Sequence, residues 1–214
     1  ALLPVRRPDE GPPMARSTPS GANVVRLTLR LRECEPPIWR TILVRNSTSL
    51  HQLHLAIQKA MGWTNSHLYE FEVRKSKYTD LTTVDYFEDD EQSEDARTTK
   101  LSLLKLERGE SFTYLYDFGD YWLHDITVDS IESPIPGASY PNCVAGARAC
   151  PPEDCGGTHG YFEFLEAITD TTHPEHESYL VWVGGNFDPE AFDLASVNQL
   201  LSRRSRRTDR GLAV

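Results

Sequence analysis

The sequence predicts an α+β protein: an antiparallel β-sheet of about five strands with an early helix and a mostly helical C-terminal part. Two observations support this fold class. Strict alternation of apolar and polar residues recurs before residue 132, and helical spacing of apolar residues dominates from 160 to 202. Because strands come first and helices later, rather than in a βαβ alternation, the order favours α+β.

The first element is a strand from Val24 to Arg32, in which apolar and basic residues alternate. A Cys-Glu-Pro-Pro sequence at 34–37 interrupts it, because proline removes a backbone donor. The pattern returns from Ile38 to Val44. We therefore expect two neighbouring strands joined like a hairpin.

The early helix begins at Ser49, where Gln52 completes a capping box, and ends at Gly62. His51 and His54 lie one helical turn apart, as two metal ligands do. With no third ligand nearby in the sequence, we interpret them as surface histidines.

Three further strands are predicted: residues 67–73, and a hairpin of residues 112–117 and 121–131. The Asp-Phe-Gly sequence at 117–119 matches the kinase magnesium motif, but no phosphate loop or His-Arg-Asp sequence accompanies it, so we interpret it as a turn. Alternation in the last strand directs His124 inward among apolar residues. Either a core histidine or a ligand or acid–base role fits that position. Helices are predicted at 160–169, 173–183 and 194–202.

Charge is distributed unevenly along the 214 residues. The net charge is −10, but residues 24–202 carry 14 basic and 29 acidic side chains. This acidic body argues against a duplex-DNA surface and favours a protein partner. The arginines of residues 203–210 are the alternative contact for nucleic acid.

The chain divides into one domain and two flanks. We expect a disordered leader at 1–22, a single domain at 23–202 with an exposed acidic insertion at 85–95, and a basic disordered tail at 203–214. No apolar run approaches the roughly 20 residues of a membrane span. No export signal is visible, so we expect a cytoplasmic protein with reduced cysteines.

A dense cluster of cysteines suggests a metal site. Three thiols and one imidazole, which zinc accepts in structural sites, occur within seventeen residues: Cys143, Cys150, Cys155 and His159. His124 is the alternative fourth ligand. Buried thiols in a tight loop, or a disulfide formed on oxidation, is the competing interpretation.

No Walker loop, nucleophile elbow, dinucleotide fingerprint or zinc-protease helix occurs. Titratable residues that could form a scattered catalytic site are His67, Asp117, Asp120, His124, Glu153 and Asp154. The alternative for Glu153 and Asp154 is a structural role, in which they cap a helix or stabilise the glycine turn.

Three long stretches together resemble one family: EPPIWRTILV with the helix that follows it, YLYDFGDYWLHDI, and ACPPEDCGGTHGYFEFLEAI. Over about residues 23–202 the chain resembles the plasmid pRiA4b ORF-3-like proteins, also met as passenger proteins of bacterial insertion elements. The resemblance implies an α+β fold and a mobile-element or bacterial cytoplasmic setting, but no settled reaction. It places family motif positions on His67, Asp117, Asp120, His124, Glu153 and Asp154, among others.

Three functions follow as hypotheses. The first is a non-enzymatic protein-interaction module whose C-terminal half is organised by the 143–159 loop around a structural zinc ion. The second is a metal-dependent hydrolase or nuclease that uses the His, Asp and Glu residues named above. The third is a nucleic-acid-associated accessory protein acting through its arginine tail.

Overall fold

A computed structural model describes residues 23–83 and 93–203. The predicted leader, most of the predicted acidic insertion and the tail from Arg204 onward lie outside the described residues. Within the described ranges, no helix is long and apolar enough to cross a membrane.

The core of the protein is a single eight-stranded sheet in the order β5-β4-β3-β6-β7-β1-β2-β8. Its strands are β1 (Val24–Leu31), β2 (Trp39–Arg45), β3 (Tyr69–Val73), β4 (Ser76–Thr79), β5 (Ser93–Asp95), β6 (Ser111–Tyr116), β7 (Trp122–Glu132) and β8 (Asn142–Ala147). The helices are α1 (Leu50–Met61), α2 (Leu101–Leu104), α3 (Gly157–Thr169), α4 (His176–Val183) and α5 (Leu194–Ser202). All strand pairs are antiparallel except β4 with β5, which is parallel.

The predicted fold class is therefore wrong. We expected about five antiparallel strands, whereas the sheet has eight strands and is mixed. The chain after β7 is also not mostly helical, because it adds strand β8 and joins three short helices by long irregular segments.

The sequence carries little local signal for β4, β5 and β8, the three strands that it does not predict. β4 follows a two-residue turn in which Arg74 and Lys75 have φ of 49° and 74°, a conformation that usually requires Asn or Gly. β8 is built from small residues inside the stretch interpreted as a cysteine loop. β5 is three residues long and ends the acidic run expected to be an exposed insertion.

The two predicted strand pairs are present in the sheet. β1 pairs with β2, and β6 pairs with β7, both antiparallel as expected. The inward face of β7 is the predicted one, since Trp122, His124, Ile126 and Val128 are all buried. Period-two alternation is enough for β1, β6 and β7 because one face of each is buried and the other is more exposed, whereas residues 40–44 of β2 are buried on both faces.

Helix α1 begins and ends where the sequence predicts. The Ser49 hydroxyl accepts from the backbone N–H of Gln52, the Gln52 side chain accepts in return from Ser49 N–H, and Gly62 ends the helix with φ of 92°. The surface interpretation of His54 is wrong, because this residue is 1% exposed. Its ring stacks on the ring of Tyr69 in β3, with 3.7 Å between the centroids, so this face of α1 packs against the sheet.

Replacing Ser49 by Ala should lower the free energy of unfolding by about 1 kcal/mol, since one side-chain acceptor at the helix start is lost. Chemical denaturation measures this change. Ser178→Ala, at an exposed position inside α4, is the matched control and should leave stability unchanged or slightly raise it. Equal losses in both variants would contradict the capping role.

Candidate functional site

Three connections meet beside the ends of β3, β6 and β7. They are residues 62–68 between α1 and β3, residues 117–121 between β6 and β7, and loop 148–157 between β8 and α3. Each contributes one titratable side chain to a common point: His67, Asp117 and Asp154.

The His67 imidazole lies between two carboxylates. Its Nδ1 is 3.5 Å from Oδ2 of Asp117, and its Nε2 is 3.0 Å from Oδ1 of Asp154. Although this second distance is short, Nε2 is buried and makes no hydrogen bond in the described part of the chain. The nitrogen and the carboxylate oxygen are therefore close without the alignment of a donor with an acceptor.

Asp117 is fixed by its own turn. Its Oδ1 accepts from the backbone N–H of Gly119 at 2.9 Å, and its backbone N–H donates to the Leu68 carbonyl at 2.9 Å. The residue has φ of 59°, which aspartate tolerates better than most residues. Because Oδ1 is used by the turn, Oδ2 is the oxygen presented to His67.

Glu153 holds the neighbouring Asp154 in place. Its Oε2 accepts from the Thr64 backbone N–H at 2.9 Å, and its Oε1 accepts from the Tyr116 hydroxyl at 2.5 Å. Burial and this carboxylate both raise the pKa of the Tyr116 phenol, which keeps it a donor. Loop 148–157 is thus attached to both β6 and the residues just before His67.

Asp120 and two glycines bring loop 148–157 against the β6–β7 turn. Oδ2 of Asp120 accepts from the Gly156 N–H at 3.2 Å. A Cβ on Gly157 would lie 2.4 Å from the Asp120 carbonyl oxygen, and its φ is +69°. Only glycine permits this approach, so the double glycine serves the contact between loop and turn.

His67 and Asp117 line an open groove of about 450 Å³, which also contacts His51, His54, Asn65, Ser66, Leu68, Tyr69, Asp80, Thr83, Phe118 and Gly119. His51 lies on the same groove, with Nδ1 2.9 Å from the Tyr69 hydroxyl and 3.6 Å from Oδ2 of Asp80. Burial, reinforced by Arg97, lowers the pKa of His51. Burial opposes ionisation of Asp80, yet hydrogen bonds from Arg97 and Thr82 lower its pKa to about 2.

The structure separates the predicted catalytic residues into three groups. His67, Asp117 and Asp154 converge, while Glu153 and Asp120 support the loop that carries Asp154. His124 does not join them, because it is fully buried with Nδ1 3.0 Å from the Trp122 carbonyl oxygen and its ring edge-on to Trp63. Burial lowers the pKa of His124 to about 4.

The four predicted zinc ligands occupy different surroundings. Sγ of Cys143 lies 3.4 Å from the Ala145 carbonyl oxygen, Cys150 packs on Arg40 and Met61, and the His159 side chain is 84% exposed. Burial raises the pKa of Cys143, and raises those of Cys150 and Cys155 to about 12. These three cysteines, like Cys34, are free thiols. Within residues 23–83 and 93–203, the group of three or more candidate ligands that lie close together is His67, Asp117 and Asp154.

Comparison with known proteins places the chain in a family. The model of the plasmid pRiA4b ORF-3-like proteins matches residues 23–196. The chain belongs to this family. The family resemblance seen in the sequence is thereby confirmed, including the stretches that carry the groove.

Two relatives illustrate the family. An uncharacterised protein of Sinorhizobium fredii, y4hQ, is 39% identical over 184 residues, covering 83% of this chain and 90% of its own. The crystal structure of MM3350 from Methanosarcina mazei Go1, a protein of unknown function, is similar with a TM-score of 0.73 and 36% identity, covering 81% of this chain and 96% of that one. Neither name assigns an activity.

Stability should fall as the pH is lowered from about 6.5 to 5. Burial lowers the folded-state pKa of His54 to about 3 and of His124 to about 4, from 6.5. Between pH 6.5 and 5 these two histidines become protonated in the unfolded chain but stay neutral in the folded chain. At pH 5, each histidine should therefore lower the free energy of unfolding by about 2 kcal/mol relative to neutral pH. Denaturation at a series of pH values measures the slope.

The matched variants are His124→Asn, which retains a donor near the Nδ1 position, and His159→Gln at an exposed site. The first should flatten the slope between pH 6.5 and 5, whatever its effect at pH 7, and the second should leave it unchanged. The carboxyl of Asp80 contributes at lower pH, below its ordinary value of 3.8. A slope equal in all three proteins would contradict the assignment to buried histidine.

Proposed function

We propose that this protein binds a divalent transition-metal ion through His67, Asp117 and Asp154 and uses it to hydrolyse a small molecule held in the adjoining groove. The observation that carries the proposal is the state of His67 Nε2, which is buried, 3.0 Å from an Asp154 oxygen and not hydrogen-bonded. A cation bound between the imidazole nitrogen and the carboxylate oxygen would account for this close approach without a hydrogen bond. One imidazole and two carboxylates form a ligand set that suits zinc, manganese or iron.

The number of ligands favours a catalytic over a structural metal. Structural zinc sites are closed by four protein ligands, whereas catalytic sites use three and leave a position for water or substrate. The three candidate ligand atoms lie within 4.8 Å of one another, and two of the three residues line the groove. A metal held there would act as a Lewis acid and lower the pKa of a bound water.

The groove lining favours an uncharged substrate of modest size. Among the described residues that line it, none is lysine or arginine, and the nearby Arg97 is already paired with Asp80 at 2.7 Å, so the lining offers a phosphate backbone no unpaired cation. This disfavours the nuclease alternative. Leu68 and Phe118 supply apolar surface at the rim, each partly exposed. Such a lining suits a small molecule with an apolar portion and one group that approaches the metal.

His51 is the second imidazole of the groove and the residue best suited to transfer protons. The Tyr69 hydroxyl fixes its ring at Nδ1, and Asp80 stands behind it at 3.6 Å. An imidazole oriented by a second group in this way is the usual arrangement of a general acid or base. The direction of its pKa shift, downward through burial, favours the neutral ring at pH 7.

The zinc hypothesis at Cys143, Cys150, Cys155 and His159 remains a separate proposal. The raised pKa values of these thiols favour the protonated form, which is not the form that binds zinc. Cysteine and histidine variants distinguish the two sites.

Metal binding by chelator-stripped protein should be measured by calorimetric titration with Zn²⁺ and, separately, Mn²⁺. We expect one ion per chain. His67→Ala, Asp117→Asn and Asp154→Asn should each weaken binding at least about a hundredfold, more than the loss of an outer-shell partner costs. Asp117→Asn retains the oxygen that accepts from Gly119, so the turn is preserved.

Cys155→Ser and His159→Ala are the controls, and their affinity should equal that of the unaltered protein. If those two variants lose the metal while His67→Ala retains it, the ion belongs to the cysteine cluster and the proposed centre is wrong. Failure of the unaltered protein to bind either ion would also overturn the proposal.

Hydrolysis of p-nitrophenyl acetate should require the metal and should fall at least about tenfold in His51→Gln, since general acid–base catalysis contributes 10² or more when intact. Metal affinity should be unchanged in this variant, and one limb of the pH–rate profile should disappear. A bis-p-nitrophenyl phosphate assay run in parallel should give little turnover. Metal-independent ester hydrolysis, or a His51 variant with the normal pH profile, would contradict these roles.

A further inference from the structure

Helix α4 presents an apolar surface that nothing in the described chain covers. Its sequence, HESYLVWV, contains five apolar or aromatic residues in eight, yet no residue of the helix is buried. Val181 is 78% exposed and Trp182 is 47% exposed. Large apolar side chains that stay in water on a well-formed helix commonly mark a binding surface.

The helix is held in a defined position, so this surface is formed in advance. Trp182 lies edge-on to Phe164 of α3 at 5.8 Å, and Tyr179 does so at 5.5 Å. The His176 imidazole Nδ1 lies 2.8 Å from the Ala167 carbonyl oxygen of α3. Gly184 ends the helix with its N–H donating to the last turn. The exposed side of α4 is therefore backed by α3.

The stretch of sequence that contains α4 is strongly acidic. Between Arg148 and Arg203 the chain contains ten acidic side chains and no lysine or arginine. Glu177 is exposed and lies one turn before Val181, on the same side of the helix. Glu177 therefore places negative charge beside the apolar surface, and residues 149–202 contain no lysine or arginine that could offset it locally.

We propose that the exposed face of α4, centred on Val181, Trp182 and Glu177, binds a basic amphipathic helix of a partner protein. Apolar residues of that helix would cover Val181 and Trp182, and its lysines or arginines would meet Glu177 and the acids around it. A second copy of this chain fits less well, because a two-fold contact through α4 would place the same acidic segments against each other. This inference is independent of the proposed metal centre.

The test uses a labelled 18-residue peptide of leucine and lysine with helical amphipathic spacing, titrated with the full chain and followed by fluorescence anisotropy. Two peptides provide the comparison: one with glutamate in place of lysine, and one with serine in place of leucine. Only the leucine–lysine peptide should bind at micromolar protein. Raising the salt from 50 to 300 mM should weaken binding several-fold, because surface charge pairs are screened.

Val181→Ser and Glu177→Gln locate the contact. Because Val181 is 78% exposed, its replacement should leave the fold intact while weakening peptide binding about tenfold. Leu103→Ser, at a residue 66% exposed on α2, is the matched control and should bind like the unaltered protein. Glu177→Gln should reduce affinity and the salt dependence together.

Several outcomes would overturn the proposal. One is undiminished binding in Val181→Ser, and another is an equal loss in Leu103→Ser. Binding of the leucine–glutamate peptide as tight as that of the leucine–lysine peptide would remove the charge argument. A dimer seen by light scattering that Val181→Ser dissociates would assign the face to a second copy instead.

Discussion

The architecture around the groove depends on one buried cation, Arg40 in β2. The residue is 3% exposed, and its guanidinium donates to the carbonyl oxygens of Ala60 at 3.0 Å, Ala147 at 2.7 Å and Arg148 at 2.7 Å. One side chain therefore joins the end of α1, the edge strand β8 and the start of loop 148–157. A planar fork of five donors suits this task, whereas an ammonium group would reach fewer carbonyls. Phe192 covers the guanidinium at 4.5 Å, which completes its removal from water.

With loop 148–157 fixed at its start, a series of polar contacts attaches it to the residues after α1. Trp63 Nε1 donates to the Pro151 carbonyl at 3.0 Å, and the Thr64 N–H donates to Glu153. Each contact lies one or two residues from the next, so the loop and the 62–68 connection run side by side toward His67. The candidate site residues thus lie on loops, and buried residues hold those loops in position. This explains why Asp154, 70% exposed at its side chain, still has a defined place beside the imidazole.

The sequence predicts those parts of the molecule whose structure depends on local pattern. β1, β2, β6, β7 and the Ser49 capping box follow from alternation and from side-chain chemistry within a few residues. β4 and β8 were missed because an Arg-Lys turn and a run of small residues carry no local strand signal. The sequence offers His67, Asp117 and Asp154 as candidates, yet 50 and 37 residues separate them along the chain. Spacing suggested the cysteines instead, because closely spaced ligands are visible in a sequence and a site assembled by tertiary contacts is not. Asp80 has no such signal, and His51 has only its spacing of one helical turn from His54, since their shared groove exists only after β3 has packed on α1.

The backbone around His67 adds a physical reason to regard the cluster as a binding site. Asn65, Asp117 and Asp154 all have positive φ, at 62°, 59° and 61°. Such conformations cost free energy in residues other than glycine, and they persist where surrounding contacts impose them. Here they direct two carboxylates toward one imidazole, which is unfavourable for the carboxylates themselves, because like charges repel. A divalent cation bound between them would offset the repulsion of both carboxylates and would lie beside Nε2, which makes no hydrogen bond within the described residues. The opposed carboxylates and the nitrogen without a hydrogen bond are the two features that the proposed metal ion would account for together.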